Sequence, residues 1–294
     1  MGAAQCGTGM VVLGSSFAIT RNLLGYPVLT GQAMRYGLAA AVLAGAVAWL
    51  RRGTGQGVRP TAGELARLCL LAATGLAAFN VCILETLRRS DPAVVGTAVG
   101  AAPVVIALLG PLTRGARPAA RVTLAAVVVT AGAALVHRAG GLAGAGLGWA
   151  AGALACEAAF SMLAAPLLPR LGPTRVSAYA CGFAAPMLVA AAAVAGERWQ
   201  APSPAETATL AFLALVLTAG VFPLWYSGVR RLTVERAGLF TGLLPVVTLV
   251  ATALLDLRVP DPVRIAGVLC VCAGLAYGLT TAGASSQQGA PIKA

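Results

Sequence analysis

Two charged side chains that lie inside apolar stretches are the first candidates for chemistry in this sequence. Glu157 occupies the middle of residues 153–162 (ALACEAAFSM), and Arg35 lies near the start of another apolar stretch. A charged side chain at the centre of a bilayer costs about 2.5–3.5 kcal/mol on insertion scales, so each charge needs a partner or a function. Glu157 is therefore either a carboxyl that exchanges protons or one half of a structural pair with Arg35. Arg35 alone could anchor an anion, or could bond to nearby carbonyl groups and extend to the membrane surface.

Other polar and aromatic side chains in apolar stretches could line a polar cavity. Asn80, Ser15 and Ser16 carry hydrogen-bonding groups, while Trp225 and Tyr226 could stack on a planar substrate. Each has an ordinary alternative. Serine in a membrane helix usually bonds to its own backbone, and Trp and Tyr near a helix end are typical of the aromatic belt at the membrane surface.

Motifs of several other kinds of site are missing from the sequence. We find no phosphate-binding P-loop, no cluster with metal-ligand spacing and no nucleophile with a partner base. The seven cysteines lie mostly in apolar stretches, where small packing residues are expected. We therefore expect no metal, no cofactor and no enzyme activity. An intramembrane enzyme that acts on a lipid-linked substrate remains an alternative.

The composition places these residues in a membrane. Hydrophobic residues make up 59% of the 294 residues and charged residues only 10%, whereas soluble domains contain about 25% charged residues. The apolar stretches are long enough to cross a bilayer as helices. Ten such helices are predicted, at 4–24, 29–50, 65–87, 92–113, 119–137, 147–168, 176–196, 207–229, 236–256 and 263–281.

The basic residues predict the orientation of the chain. The net charge of +12 comes mostly from Arg residues between the apolar stretches, which indicates membrane topology and not binding to nucleic acid. More of these residues face the cytoplasm if the N terminus is inside, so both termini are expected there. A multi-pass protein of a bacterial-type plasma (inner) membrane is predicted, with a disordered tail at 282–294.

One segment of the sequence occurs twice. Residues 88–112 (RRSDPAVVGTAVGAAPVVIALLGPL) align without a gap with residues 230–254, 142 positions later. The glycines predict close helix packing, and the prolines predict helix bends around a cavity. We therefore divide the chain into repeats at 1–142 and 143–281. The shared positions include Arg88/Arg230, Arg89/Arg231, Gly96/Gly238, Gly100/Gly242, Pro103/Pro245 and Leu112/Leu254.

The number of helices in each repeat determines how the repeats are related. Five is odd, so the second repeat must enter the membrane from the opposite side. The predicted fold is an all-α polytopic membrane protein, with ten transmembrane helices in two inverted five-helix repeats. Inverted repeats are typical of secondary transporters, which bind substrate near the midplane between the repeats and expose it to each side in turn.

The chain also resembles a known family. Residues 14–43 (GSSFAITRNLLGYPVLTGQAMRYGLAAAVL) are similar to the opening of EamA-like members of the drug/metabolite transporter superfamily, with Leu13 in place of the usual Trp. Residues 265–278 (IAGVLCVCAGLAYG) are similar to the Gly-rich closing helix of that family, although the acidic residue before this helix is displaced to Asp256. The resemblance covers nearly the whole chain. It implies a cavity lined by helices 1, 3, 4, 6, 8 and 9, with helices 5 and 10 at the periphery.

The resemblance and the repeat lead to one functional hypothesis. We expect a secondary transporter, an exporter, that moves small metabolites, amino-acid-like compounds or drugs by alternating access. The proton gradient is the simplest energy source. Its partners would be the small-molecule substrate and the lipid bilayer, with a homodimer left open. A non-catalytic membrane partner is a further alternative, which a solid apolar core would favour and a polar midplane cavity would not.

Overall fold

The computed structural model describes residues 1–16, 19–23, 25–54, 58–90, 92–137, 146–256 and 260–280. Every regular element in these ranges is helical. Nine of the described helices are long and apolar enough to cross a membrane, and a shorter helix precedes them. The predicted all-α polytopic fold is confirmed. The predicted tail at 282–294 and the predicted boundary between the repeats lie outside the described residues.

We number the membrane helices α1 to α10 in chain order. A 3₁₀ turn, Ile19–Leu23, follows the first of them. Helix α1 ends at Ser16, whereas the sequence predicted residue 24, and the ends of the other helices lie within about four residues of the predicted ones. The helices are α1 Gly2–Ser16, α2 Val28–Thr54, α3 Ala62–Arg89, α4 Pro92–Gly100 with Ala102–Leu112, α5 Ala120–His137, α6 Leu147–Leu171, α7 Pro173–Val194, α8 Pro204–Leu232, α9 Val234–Gly238, Leu239–Gly242 and Leu243–Asp256, and α10 Pro262–Leu279.

The two repeats interlock through their first helices. Helix α1 packs against α8 and α9 of the second repeat, and its counterpart α6 packs against α3 and α4 of the first. The pairs α2–α7 and α5–α10 join helices that are equivalent in the two repeats, and these pairs have the most extensive contacts. Each of these contacts therefore has a counterpart with the roles of the repeats exchanged, as expected for inverted repeats.

Small residues allow the helices to approach closely. A Cβ atom added at Gly132 in α5 would lie 2.7 Å from the carbonyl oxygen of Gly267 in α10. Because the obstructing atom belongs to the backbone, it cannot rotate away, and only glycine fits there. Close backbone packing of this kind drives helix association in lipid, where hydrophobic contact alone contributes little.

The glycines predicted from the repeat also face other helices. An added Cβ at any of the four would meet a side chain of a neighbouring helix at close range, so the prediction of close packing agrees with the structure. The side chains that an added Cβ would meet are His137 at Gly96, Ala133 at Gly100, Ile106 at Gly238 and Val129 at Gly242.

Helices α4 and α9 are interrupted at equivalent positions. Helix α4 breaks at Ala101, and α9 forms a 3₁₀ turn at Leu239–Gly242. Pro103 and Pro245 then lie in the first turn of the helical segment that follows each interruption. A proline has no backbone N–H, and the first turn of a helix is where this donor would lack a partner in any case. The prolines thus begin new helical segments, where the sequence predicted bends.

Helices α3 and α8 share a further repeated feature that the sequence analysis missed. Both begin with a capping box, in which Thr61 pairs with Glu64 and Ser203 pairs with Glu206. Both then widen into a π-helix, at Ala72–Ala78 and at Leu213–Gly220. Such segments are rare and occur frequently at functional sites. Here each π segment packs against helices of the other repeat, the one in α3 against α6 and α7 and the one in α8 against α2.

Candidate functional site

Glu157 lies near the middle of α6, on the face directed at the centre of the bundle. Phe160 and Ser161 follow it by three and four residues and so share its face. The Phe160 ring packs 5.2 Å from the ring of Tyr226 in α8, and Ser161 Oγ accepts a hydrogen bond of 3.2 Å from Trp225 Nε1. The sequence of α6 therefore directs the carboxyl at α8 and the first repeat, and not at lipid.

The Glu157 carboxyl has no partner within the described part of the chain. It takes part in no hydrogen bond and no ion pair there, and the side chain is partly accessible. Its oxygens are not among the fully enclosed polar atoms that lack a partner. The carboxyl oxygens therefore keep some surface that water can reach inside the bundle.

Four aromatic side chains pack against one another beside Glu157, and we call them the aromatic cluster: Tyr36 of α2, Phe160 of α6, and Phe222 and Tyr226 of α8. The Phe222 ring lies 6.3 Å from that of Tyr36 and 5.2 Å from that of Phe160. Phe160 and Phe222 keep part of their surface accessible. The Tyr226 hydroxyl is fully enclosed and has no hydrogen-bond partner among the described residues. Glu157 is close enough to act electrostatically on the hydroxyls of both tyrosines.

Trp225 and Tyr226 occupy the interior and not the membrane surface. Trp225 is 3% exposed and Tyr226 is 0% exposed, whereas Trp49 and Trp199 at helix ends are 72% and 70% exposed. The aromatic belt that the sequence allowed for Trp225 and Tyr226 requires contact with the lipid surface, so that alternative is wrong for this pair. Because Trp225 and Tyr226 are close to Arg230 in sequence, they were expected near the end of their helix at the membrane surface. In the structure, the face of α8 that carries them packs against α6 and α1.

Arg35 lies two turns inside α2 and bonds to neutral groups. Its Nε donates to Thr218 Oγ1 at 2.7 Å and its Nη1 to Gln32 Oε1 at 3.2 Å. The guanidinium carbon lies 5.2 Å from the centre of the Tyr36 ring. Thr218 belongs to the π segment of α8, so Arg35 joins the two repeats at that point. The structural ion pair with Glu157 that the sequence left open is not formed.

The remaining polar candidates differ in their positions. The Asn80 Nδ2 group donates to the carbonyl of Leu76 at 2.7 Å, and the Asn80 side chain also approaches the Tyr36 hydroxyl. Ser16 is 3% exposed and donates to the carbonyl of Leu13, which is the ordinary backbone bond. Ser15 is exposed. The structure thus brings Asn80 to the aromatic cluster, and within the described ranges neither Ser15 nor Ser16 contacts that cluster.

Three members of this site were missed in the sequence. The sequence could have indicated Phe160, because it lies one helical turn from Glu157. The indication for Tyr36 was weaker, because only its position next to Arg35 pointed to it. Nothing in the sequence indicated Phe222, because its role depends on the packing of α8 against α2 and α6.

Polar contacts between the repeats occur at both ends of the bundle. At the end where α3 and α9 begin, Arg114 Nη2 lies 2.6 Å from Glu235 Oε1, and Arg170 pairs with Glu64. We call these two ion pairs the terminal latch. Each joins a residue of the first repeat to a residue of the second. The latch therefore opposes separation of the repeats at that end.

A second contact, made by Glu197 after α7, closes the opposite end. Its carboxyl accepts hydrogen bonds from the backbone N–H groups of Leu29 and Thr30 at 3.0 and 2.8 Å, and from the Thr30 hydroxyl at 2.9 Å. The Tyr26 hydroxyl donates to the carbonyl of Gln200 at 2.9 Å. Burial raises the pKa of Tyr26, which keeps this hydroxyl a donor. Glu197 thus caps the N terminus of α2 from the other repeat.

Removing this cap should lower the stability of the protein. In Glu197→Ala the first N–H groups of α2 lose their acceptor, and the loss of a helix cap costs about 0.5–2 kcal/mol. The melting temperature of the purified protein should fall by several degrees. Gln200→Ala is the matched control from the same loop, because only the backbone carbonyl of Gln200 is used. Equal melting temperatures for the two variants would contradict the capping role.

Comparison with known proteins agrees with this architecture. The model of the EamA-like transporter family matches residues 2–138 and again residues 144–280. The uncharacterized transporter YetK of Bacillus subtilis (strain 168) is 22% identical over 286 residues, covering 94% of this chain and 86% of YetK. A solved crystal structure shares the fold with a TM-score of 0.77 at 19% identity, covering 94% of this chain and 96% of that chain. Since the family model matches both halves of a multi-pass membrane protein, the chain belongs to the EamA-like transporter family.

Proposed function

We propose that the protein is a secondary transporter that exports a small molecule by alternating access and couples this movement to protons through Glu157. One observation supports this most: an unpartnered carboxyl with accessible oxygens lies inside the helix bundle. A charged group inside a membrane protein without a partner is unfavourable even where water reaches part of it. Binding of a proton or a ligand relieves this cost, so occupancy of Glu157 can bias which side of the membrane the site faces.

The contacts at the two ends of the bundle fit an alternating mechanism. Access from the end where α3 begins requires the terminal latch to open, and access from the other end requires Glu197 to leave α2. With both termini in the cytoplasm of an inner membrane, the terminal latch lies on the cytoplasmic side. Export would then begin with opening of the terminal latch and end with release of the Glu197 cap.

The helix interruptions are suitable bending points for this change. The breaks near Pro103 and Pro245 are equivalent in the two repeats, and so are the π segments in α3 and α8. A helix bends most easily where its regular hydrogen bonds are interrupted. Bending at paired positions would let both repeats move in the same way, which alternating access between inverted repeats requires.

A non-catalytic membrane partner explains the interior less well. Such a protein needs only apolar packing between its helices. Here Glu157, Arg35 and Asn80 lie inside the bundle beside partly accessible aromatic rings. Charged groups at this depth are expensive and usually mark a substrate or ion pathway. Membership of a transporter family favours transport over a lipid-modifying enzyme for the same residues.

Counterflow in proteoliposomes tests the proposed function. Vesicles containing the purified protein are loaded with one unlabelled compound from a panel of amino acids, nucleosides and organic cations, and entry of the labelled compound is followed. We expect exchange that saturates as the concentration of the labelled compound rises. An excess of the same unlabelled compound outside the vesicles should inhibit the entry of the label. Protein-free vesicles are the control. A well-folded protein that exchanges no member of the panel would contradict the proposal.

A further inference from the structure

We propose that the substrate is an organic cation, an amine or quaternary ammonium with an apolar or aromatic substituent, held between Glu157 and the aromatic cluster. This inference rests on the proposed transport function and names its substrate class. The residues that carry it come from α2, α6 and α8, so the ligand would lie between the two repeats.

The charges of the interior favour a positive ligand beside Glu157. Arg35, the other charged group, is hydrogen-bonded to the neutral side chains of Thr218 and Gln32 and lies beside the Tyr36 ring. It makes no ion pair with Glu157. The negative charge of Glu157 is therefore uncompensated, and an isolated buried charge is far more costly than a paired one. A mobile cation would supply the missing partner.

The rings around the carboxyl provide a second attraction for a cation. Aromatic rings have a negative face, so a cation within about 6 Å of the ring centre is attracted to it. The rings of Tyr36, Phe160, Phe222 and Tyr226 form a continuous chain of contacts at 5.2–6.3 Å. Phe160 and Phe222 keep part of their surface accessible for a cation, whereas Tyr226 is 0% exposed and the Tyr36 ring already carries the Arg35 guanidinium. Phe160 shares a helix face with Glu157, so the carboxyl and the rings point into the same space.

Other ligand classes fit this arrangement less well. An anion would meet the carboxylate of Glu157. A metal ion prefers several oxygen or nitrogen ligands, and the described residues contain no group of three or more acidic, Cys or His side chains that could hold one. The bonds of Arg35 to Thr218 and Gln32 use two of its five N–H groups, so a zwitterion would have to reach Arg35 with its carboxylate and Glu157 with its amine, and competition by phenylalanine separates the two classes. An amine with an apolar group satisfies both the carboxylate and the rings.

Equilibrium binding to the purified protein tests this inference. The probe is radiolabelled benzyltrimethylammonium, and the competitors are the unlabelled cation, its uncharged carbon isostere neopentylbenzene, and zwitterionic phenylalanine. We expect saturable binding, with both other competitors at least about tenfold weaker than the cation. The cation and its isostere have the same shape, so the comparison isolates the charge.

Two variants assign the binding to the proposed residues. Glu157→Gln should lower the affinity for the cation about tenfold or more, and Phe222→Leu should lower it about threefold to tenfold. Glu85→Gln is the matched control, since Glu85 pairs with Arg88 and Arg89 at a helix end. It should bind the cation as the unmodified protein does.

Several results would overturn the substrate class. One is that neopentylbenzene competes as well as the unlabelled cation does, and another is that phenylalanine competes better than the cation. The third is that a folded Glu157→Gln variant binds the cation with unchanged affinity. If that variant does not fold, the comparison of cation and isostere on the unmodified protein still decides. Counterflow separates this inference from the proposed function. Saturable exchange of other compounds, without binding of the cation, would refute the substrate class alone, and absence of all exchange would refute transport.

Discussion

Glu157→Gln is expected to remove the pH dependence of transport. The amide has nearly the shape of the carboxyl but cannot gain or lose a proton, and the carboxyl of Glu157 is the group to which we assign proton coupling. Counterflow of the unmodified protein should change between an acidic and an alkaline pH, and that of the variant should not. Uphill movement driven by a proton gradient should fall about tenfold or more. The variant loses the interactions of the ionised carboxyl with its ligand, and a hydrogen bond to a charged group changes a binding constant by about tenfold or more.

The control for this experiment is Glu85→Gln, which changes a carboxyl at a membrane end. Glu85 forms ion pairs with Arg88 and Arg89 within its own helix, so its loss should leave both the rate and the pH response close to normal. A folded Glu157→Gln variant that keeps the full pH response would show that protons are coupled elsewhere. A monodisperse profile on size exclusion establishes that the variant is folded.

Cross-linking the terminal latch should abolish transport almost completely. Arg114 and Glu235 connect the end of α4 to the start of α9, and these helices are equivalent in the two repeats. The experiment uses the double variant Arg114→Cys/Glu235→Cys in a cysteine-free background. A short bifunctional cross-linker that reacts with both thiols would hold this end closed. Counterflow should stop, because a substrate site that opens to one side cannot exchange its contents across the membrane.

The chemistry of the linker provides the controls. Each single-cysteine variant, treated in the same way, should keep its activity, because one modified position cannot join the repeats. A linker that contains a disulfide can be cleaved with reductant, and cleavage should restore exchange. Full activity in the cross-linked protein would mean that the two helices do not separate during transport.

The fold was predictable because a bilayer restricts what a chain can do. A segment in hydrocarbon must satisfy its own backbone hydrogen bonds, so each long apolar stretch becomes a helix. The repeat seen in residues 88–112 and 230–254 predicted equivalent helices, and the structure places their interruptions at equivalent positions. The capping boxes of α3 and α8 are separated by the same 142 positions as the repeat. Their sequence pattern, Thr61 with Glu64 and Ser203 with Glu206, is one that predicts a helix N terminus.

The site was less predictable because the sequence does not show which helix faces meet. Ala, Val and Gly occupy every face of these helices, so periodicity does not separate lining from packing positions. Glu157 and Tyr226 were identified by residue type alone. Phe222 became part of the site only through the approach of α8 to α2. Trp225, near a basic helix end in sequence, is buried because α6 and α1 cover that part of α8.

The repeats share packing but not chemistry. Ser15 in α1 is 142 positions before Glu157 and so occupies the equivalent place in the first repeat. It is exposed and uncharged, whereas Glu157 lies beside the aromatic cluster. The glycines and prolines that shape the helices occur in both copies. The single carboxyl therefore makes the site asymmetric, which sequence equivalence between the repeats did not predict.

Accessibility of the central site from the two sides of the membrane tests the account most directly. Phe222→Cys in a cysteine-free background places one thiol in the aromatic cluster, at a partly accessible position. A membrane-impermeant thiol reagent is applied to right-side-out vesicles and, separately, to inside-out vesicles. We predict labelling from both sides, reduced by a transported compound, and labelling from one side only when the terminal latch is cross-linked. Labelling that is confined to one side without any cross-link, or absent from both, would contradict alternating access to this site.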